Sequence, residues 1–215
     1  MRDDKWLAAA TRDTSRLEAF SDGVFAVAAT LLVLNLQPPA LSRGGTLLAA
    51  LLSAEFLPKL VVYVISFAFI LIMWVNHHNM FRVVRRSDHG LLLLNGLVLL
   101  LVTLVPFPTA LLAAYAQPTD RTTAAVVFNG TYLLISFAFT LLWWYLTRHP
   151  HLLSADHDPA AGRASNRRDL FGMAGYLTCV VLAFVSVPVS LALNVALAVF
   201  WAWPRRVQLG STSEG

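Results

Sequence analysis

The chain repeats one pattern along its length: roughly twenty apolar residues and then a short polar break, from "FAVAATLLVLNL" near the start to "NVALAVFWAW" near the end. A segment of that length crosses the hydrocarbon of a bilayer as a helix, because the backbone must satisfy its own hydrogen bonds where there is no water. Hydrophobic residues make up 57% of the 215 residues and charged residues 13%, so an all-α polytopic membrane protein is the expected class. A hydropathy window of about nineteen residues places six spans near 17–36, 57–77, 90–112, 123–146, 169–187 and 189–204. The last two share one apolar stretch too long for a single span, with Pro188 as the expected break. A count of five, with one long kinked segment, stays open. The breaks "QPPALSRGG", "FRVVRRSDH", "YAQPTDR" and "RHPHLLSADHDPAAGRASNRR" have the prolines, glycines and charges of loops and leave no room for a soluble domain, so 1–215 reads as one transmembrane unit. The first apolar segment is too long for a cleaved leader and reads as a retained span. The lone Cys179, inside "YLTCVVLAFVSV", excludes an intrachain disulfide.

Orientation follows from the basic residues. Arg2, Lys5, Arg12 and Arg16 precede the first span; Arg82, Arg85 and Arg86 follow the second; Arg148, Arg163, Arg167 and Arg168 follow the fourth; Arg205 and Arg206 close the chain. Of the 16 lysines and arginines, only Arg43, Lys59 and Arg121 fall in the alternate loops. That asymmetry places both termini in the cytoplasm of a multi-pass protein of the cell membrane. Trp74, Trp143, Trp144, Tyr145, Trp201 and Trp203 fall near the same ends of spans two, four and six, as an interfacial belt does. The net charge of +4 is accounted for by orientation and by anionic membrane lipids, and nucleic-acid binding is not needed.

The first span opens with "RLEAFSDGVFAVAATLLVLNL". On a wheel at about 100 degrees per residue, Val27, Leu31 and Leu34 form one narrow stripe, at about 0, 40 and −20 degrees. Thr30 flanks it, and Phe20, Gly23 and Arg16 extend it downward. Ser21 and Asp22, at about 120 and −140 degrees, point away from it, toward whatever packs behind. Such a stripe is by itself ordinary packing surface. By depth, Asp22 shares the cytoplasmic third with His77 and His78 at the end of span two and with Asn95 early in span three. Ionisable groups at membrane depth face the protein interior and are paired. A buried polar cluster of Asp22, Ser21, His77 and Asn95, with Arg16 nearby, is therefore expected to tie three helices together. It acts either as structural glue or as a proton-linked control of the first helix through the histidine. A normal pH response in an intact His77→Ala assembly would end the second alternative.

These residues resemble a known family. "RLEAFSDGVFAVAATLLVLNL", with arginine four residues before Phe-Ser-Asp, is similar to the signature of the transmembrane protein 175 family, the endolysosomal potassium channels and their bacterial relatives. "WVNHHNMFR", "LLLLNGLVLLLVTLVPFPTALL" and the six-span length extend the resemblance over nearly the whole chain, and the single motif copy resembles the bacterial branch. The resemblance implies a homotetramer whose four first helices line a central pore, with a constriction and gate at Val27, Leu31 and Leu34 and a selectivity role for Thr30. Arg16, Phe20, Ser21, Asp22, His77 and Asn95 fall on the family's motif and its polar anchor. Potassium would be the permeant species, with no cofactor. Ala26 stands where some relatives carry serine, and Val27 is smaller than the isoleucine often found there, so weak discrimination of potassium over sodium is implied, with proton permeability left open. No carbonyl filter of the TVGYG type is present.

A passive cation channel is thus the leading reading. A secondary transporter would want a midplane site on broken helices and an internal repeat; a redox subunit would be built on the histidines. His77 and His78 lack a second His or carboxylate at helical ligand spacing, so no metal site is expected. No catalytic triad, phosphate loop or paired carboxylate points to an enzyme. His149, His151 and His157 read as solvated loop residues, Asn129, Asn194 and Ser136 as interhelical hydrogen-bonding groups, and Pro106 and Pro108 as a kink or end of span three.

Overall fold

The structure, a computed structural model, describes residues 3–41, 43–115, 118–154 and 159–202, and side chains for 14–41, 43–115, 120–154 and 169–202. Arg2, His157, Trp203, Arg205 and Arg206 lie outside the described residues, and the side chains of Lys5, Arg12, Arg163, Arg167 and Arg168 outside the described side chains. The helices are α1 (Asp3–Leu31), α2 (Leu47–Leu51), α3 (Phe56–Phe81), α4 (His89–Thr103), α5 (Pro106–Ala114), α6 (Pro118–Arg148), α7 (Pro159–Ala183) and α8 (Val187–Ala202). Two 3-10 turns, Leu32–Asn35 and Pro150–Leu152, complete the elements.

Among the described residues, four segments are long and apolar enough to cross a membrane: Thr14–Asn35, Phe56–Phe81, His89–Ala114 and Asp120–Arg148. Among the described side chains, the apolar runs Asp169–Ala183 in α7 and Val187–Ala202 are shorter; α7 as a whole has 25 residues, enough at 1.5 Å per residue to reach across a hydrocarbon core of about 30 Å. Helices also run past the apolar windows: α1 starts at Asp3 and α7 at Pro159, where spans were expected from 17 and 169. Hydropathy marks where a helix is dry, and the hydrogen-bonded coil continues into the polar sequence on either side.

Prolines set the breaks. The α4 coil stops at Thr103 and α5 restarts at Pro106, which occupies its first turn, where the missing N–H costs nothing. The α7–α8 break falls at 184–186, ahead of the expected Pro188, which sits inside the first turn of α8. A proline lacks an amide and its ring clashes with the carbonyl four residues back, here that of Phe184, so the helix yields one turn earlier. The loop after α1 turns at Gly44, whose φ of +79° lies in the left-handed region.

In the front half of the molecule α1 packs on α3, α4 and α5; in the rear half α6 packs on α7 and α8, and α4, α5 and α3 join the halves. Phe25 and Ala28 of α1 and Leu32 of the 3-10 turn after it, Phe69 and Ile70 of α3, Leu91, Val98 and Val102 of α4, and Phe128, Tyr132 and Leu142 of α6 form one buried core. The Tyr132 ring is at its centre, 4.6 Å from Phe69 and 4.9 Å from Phe128 between centroids.

Candidate functional site

Helix α1 has two unlike faces. Ser21, Phe25, Ala28 and Leu32 recur at helical spacing and are buried against the neighbouring helices. Phe20, Val27, Leu31 and Leu34 are exposed, Val27 at 55% and Leu34 at 64%, and Arg16, Gly23, Ala26 and Thr30 are exposed with them. The Thr30 hydroxyl donates to the Val27 carbonyl at 2.9 Å, which spends its proton on its own helix and leaves the oxygen lone pairs facing outward.

Behind that stripe runs a chain of buried hydrogen bonds whose direction is determined at every step. The Ser21 hydroxyl donates to the Leu17 carbonyl at 2.8 Å, so its oxygen can only accept elsewhere. Asn95 Nδ2 donates to Ser21 Oγ at 3.0 Å, which turns Asn95 Oδ1 toward His77 Nε2 at 2.7 Å. An amide oxygen only accepts, so the His77 proton is on Nε2. Ser21, Asn95 and His77 are all within 1% of complete burial, and the imidazole stacks on Phe81 at 4.4 Å, with Phe25 and Phe139 around it. One bonded chain thus joins α1, α4 and α3.

Asp22 does not belong to it. The sequence placed its carboxylate with His77 and Asn95; in the structure it is exposed and accepts from Trp74 Nε1 at 2.8 Å. One residue along α1 is a rotation of about 100 degrees, enough to carry the side chain out of the α1–α4 contact and onto the groove beside α3. Trp74 in turn stacks on His78 at 5.8 Å. Arg16 and Phe20 lie on the stripe side, away from the chain. Sequence reading used Trp74 only as a belt residue; its place one turn before His78 on α3 was the available signal.

A second tie holds the far end of α1. The Asn35 amide, at the end of the 3-10 turn, donates to the Pro106 carbonyl at 2.9 Å, so the first helix is bonded to its neighbours both below and above the stripe. Asn35 sits in "LNLQPP", a polar residue at a span end, and nothing in that pattern named its acceptor.

At the opposite end, the connections after α3 and α6 clasp each other. Arg85 N donates to Leu152 O at 2.8 Å and Ser154 N to Val83 O at 2.8 Å, with an isolated bridge between Val84 and Leu153. Asp88 caps α4, one oxygen accepting from Leu91 N and the other from Tyr145 Oη, each at 2.8 Å. Desolvation pushes against the Asp88 charge, but these bonds, with His149 and His151 nearby, hold its carboxyl below the usual range. Gly90 leaves the space that the Tyr145 hydroxyl fills. His149, expected as a solvated loop residue, is half-buried, stacked on Tyr145 at 4.1 Å, with Nδ1 donating to the Tyr145 carbonyl; His151 is exposed. Among the described residues no group of three His, Cys, Asp or Glu side chains gathers to hold a metal.

A polar chain behind a first helix with an unpartnered apolar stripe agrees with what comparison with known proteins returns. The family model of the endosomal/lysosomal potassium channel TMEM175 matches residues 16–106, from Arg16 through α4 to Pro106. A potassium channel of Streptomyces collinus is 45% identical over 193 residues, 89% of this chain and 92% of that one. The human endosomal/lysosomal proton channel TMEM175 is 35% identical over 138 residues, 60% of this chain and 27% of that one. The crystal structure of a lysosomal potassium-selective channel TMEM175 homolog from Chamaesiphon minutus superposes with a TM-score of 0.78 at 41% identity, covering 89% of this chain and 97% of that one. Identity at this level over nearly the full length, on the same helical fold, means that the chain belongs to the TMEM175 family.

Proposed function

We propose that the chain is a potassium-preferring cation channel of the cell membrane, built as a homotetramer in which each subunit crosses six times, both termini are cytoplasmic, and the four α1 helices line a central pore. The observation that carries this reading is the division of α1: one face is bonded and packed into its own subunit, while Phe20, Val27, Leu31 and Leu34 are presented outward by a helix tied at both ends. Four copies of such a face around an axis stack rings of valine and leucine. Rings of that kind disfavour water and dehydrated ions when narrow and admit a hydrated file when widened, so a small splay or rotation of α1 gates the pore. Thr30, its hydroxyl oxygen free to accept, supplies the polar contact beside the constriction. With hydrophobic rings in place of a carbonyl filter, discrimination of potassium over sodium is weak.

Planar-bilayer recording of purified protein, with potassium and sodium on opposite sides, tests the proposal. Single-channel steps with a reversal potential displaced modestly toward potassium are expected. A flux without unitary steps would point to a transporter and overturn it. A shift of reversal potential with a proton gradient would add proton permeation, the activity in the human relative's name.

A further inference from the structure

The rear of the molecule contains a buried hydrogen-bond chain with one atom left over at its end. The Ser190 hydroxyl donates to the Cys179 carbonyl at 2.7 Å, so its oxygen accepts, and Asn129 Nδ2 donates to it at 2.8 Å. With its nitrogen on Ser190, Asn129 presents Oδ1 to Asn194, and only the Asn194 nitrogen can answer it. The orientation of the Asn194 amide is thereby set from a backbone carbonyl onward. Its Oδ1 has no partner among the described residues, although Asn194 is only 1% exposed. A buried acceptor without a donor costs free energy, and folded proteins keep few of them.

Asn194 lines a cavity of about 40 Å³ between α3, α5, α6 and α8. The rest of the lining is valine, isoleucine, leucine and phenylalanine, and none of it belongs to α1, so the cavity is separate from the proposed pore. Phe69 and Asn194 sit near the middle of α3 and α8, which is hydrocarbon depth in a spanning bundle. Val195, part of the same wall, is 38% exposed, so the cavity reaches the side of the bundle there.

This wall discriminates among donors. The volume exceeds the roughly 10–15 Å³ that one water needs, but a buried water wants about two to four polar partners, and one acceptor is on offer. An ammonium or a carboxylic acid carries further polar capacity that valine and leucine leave bare. An aliphatic alcohol carries one O–H on an otherwise apolar body, the complement of a single acceptor in an apolar wall. Its hydroxyl and first carbons fill the cavity, and a longer chain continues past Val195.

We infer that this cavity is a binding site for a membrane-dissolved linear primary alcohol, its hydroxyl donating to Asn194 Oδ1 and its chain lying against Val62, Leu191 and Val195. Its occupancy is independent of whether the protein conducts.

Saturation-transfer NMR on the purified, detergent-solubilised full chain tests this, with binding measured above that to empty micelles. The probe is 1-butanol, and its counterpart is diethyl ether, an isomer that lacks the O–H. Saturable binding of 1-butanol is expected, with diethyl ether at least fivefold weaker. Asn194→Leu removes the acceptor and should weaken 1-butanol at least fivefold. Val195→Phe fills the cavity from its exposed side while keeping the acceptor and should do the same; it decides the matter alone if Asn194→Leu does not fold. Leu31→Ala, on the pore stripe, should bind 1-butanol as the parent does. Equal binding of diethyl ether, or parental binding of 1-butanol in the folded Asn194→Leu or Val195→Phe variant, overturns the inference, as does loss of binding in Leu31→Ala, which would move the site to the pore.

Discussion

The front and rear halves of the molecule contain the same hydrogen-bond device with a different last residue. In front, Ser21 donates to a backbone carbonyl, Asn95 donates to Ser21, and His77 donates to Asn95. In the rear, Ser190 donates to the Cys179 carbonyl at 2.7 Å, Asn129 donates to Ser190 at 2.8 Å, and the Asn194 amide donates to Asn129 Oδ1. Each chain is buried and each binds three helices: α1, α4 and α3 in front, and α7, α8 and α6 in the rear. A serine that has given its proton to the backbone forces the asparagine beside it to donate, and the asparagine then requires a donor in turn. The front chain ends on an imidazole stacked on Phe81 with Phe25 tilted beside it; the rear chain ends on Asn194, whose own oxygen has no partner among the described residues and which lines a small apolar cavity of about 40 Å³. The same bonding logic therefore serves different ends. In front it holds a helix whose other face is left outward; in the rear it joins three helices of a scaffold.

Breaking each chain at its central asparagine separates those roles most strongly. Asn95→Leu leaves His77 Nε2–H buried without an acceptor, and Asn129→Leu does the same to the Asn194 amide, while Ser21 and Ser190 keep their bonds to the Leu17 and Cys179 carbonyls. At roughly 1–3 kcal/mol for each orphaned group, both variants should lose several degrees or more in a detergent thermal-unfolding scan. Only Asn95→Leu should also change the current, because only it loosens α1; equal effects on current from both would erase the distinction between the halves.

Leu31→Ala removes part of the stripe without touching the chain behind it. Leak conductance in reconstituted vesicles should rise severalfold at near-parental thermal stability, since Leu31 is exposed in the subunit. An unchanged current would count against the hydrophobic gate and would leave the stripe as packing surface between subunits.

A smaller effect is expected at the clasp between the halves. Asp88→Ala deletes the cap of α4 and the acceptor of the Tyr145 hydroxyl, at a cost of about 1 kcal/mol for the cap. The pH dependence has a definite sign. The folded Asp88 carboxyl titrates below its ordinary value, so its contribution is fully present at neutral pH and above the unfolded value. It is lost only as pH falls through the lower folded value. Acid melting curves of parent and Asp88→Ala should accordingly converge at low pH and separate toward neutrality; a constant gap would show that the charge plays no part.

The smallest change is Trp74→Phe, which keeps the ring and removes the indole donor to Asp22. An exposed bond of this kind is worth about 0.5–1.5 kcal/mol, and a melting shift comparable to that of Asn95→Leu would return Asp22 to the anchor.

How far the sequence reached depended on whether a feature is local. Apolar runs and prolines act on their own segment, so the helices, the interruption of span three by Pro106 and the break between the last two helices were legible, the latter displaced to 184–186 because a proline disturbs the turn before it. The 3.6-residue period also separated the stripe of Val27, Leu31 and Leu34 from Ser21 without any partner being known. Side-chain pairing was harder. His77, Asn95 and Ser21 could be gathered by depth and by the cost of burying polar groups, but depth has no angular information, and so it could not part Ser21 from Asp22. Nor could it find the acceptor of Asn35 or the Tyr145 ring beside His149.

The sequence by itself determined that this is a bundle of membrane helices, which way their polar and apolar faces turn, and which family it belongs to, because hydropathy, helical period and motif are properties of neighbouring residues. Only the tertiary structure decided which donor meets which acceptor. A hydrogen bond requires two groups within about 3 Å, and groups far apart in sequence come that close only through the positions and rotations of packed helices, where one step of about 100 degrees along α1 moves a carboxylate from the buried chain to a tryptophan on the outside.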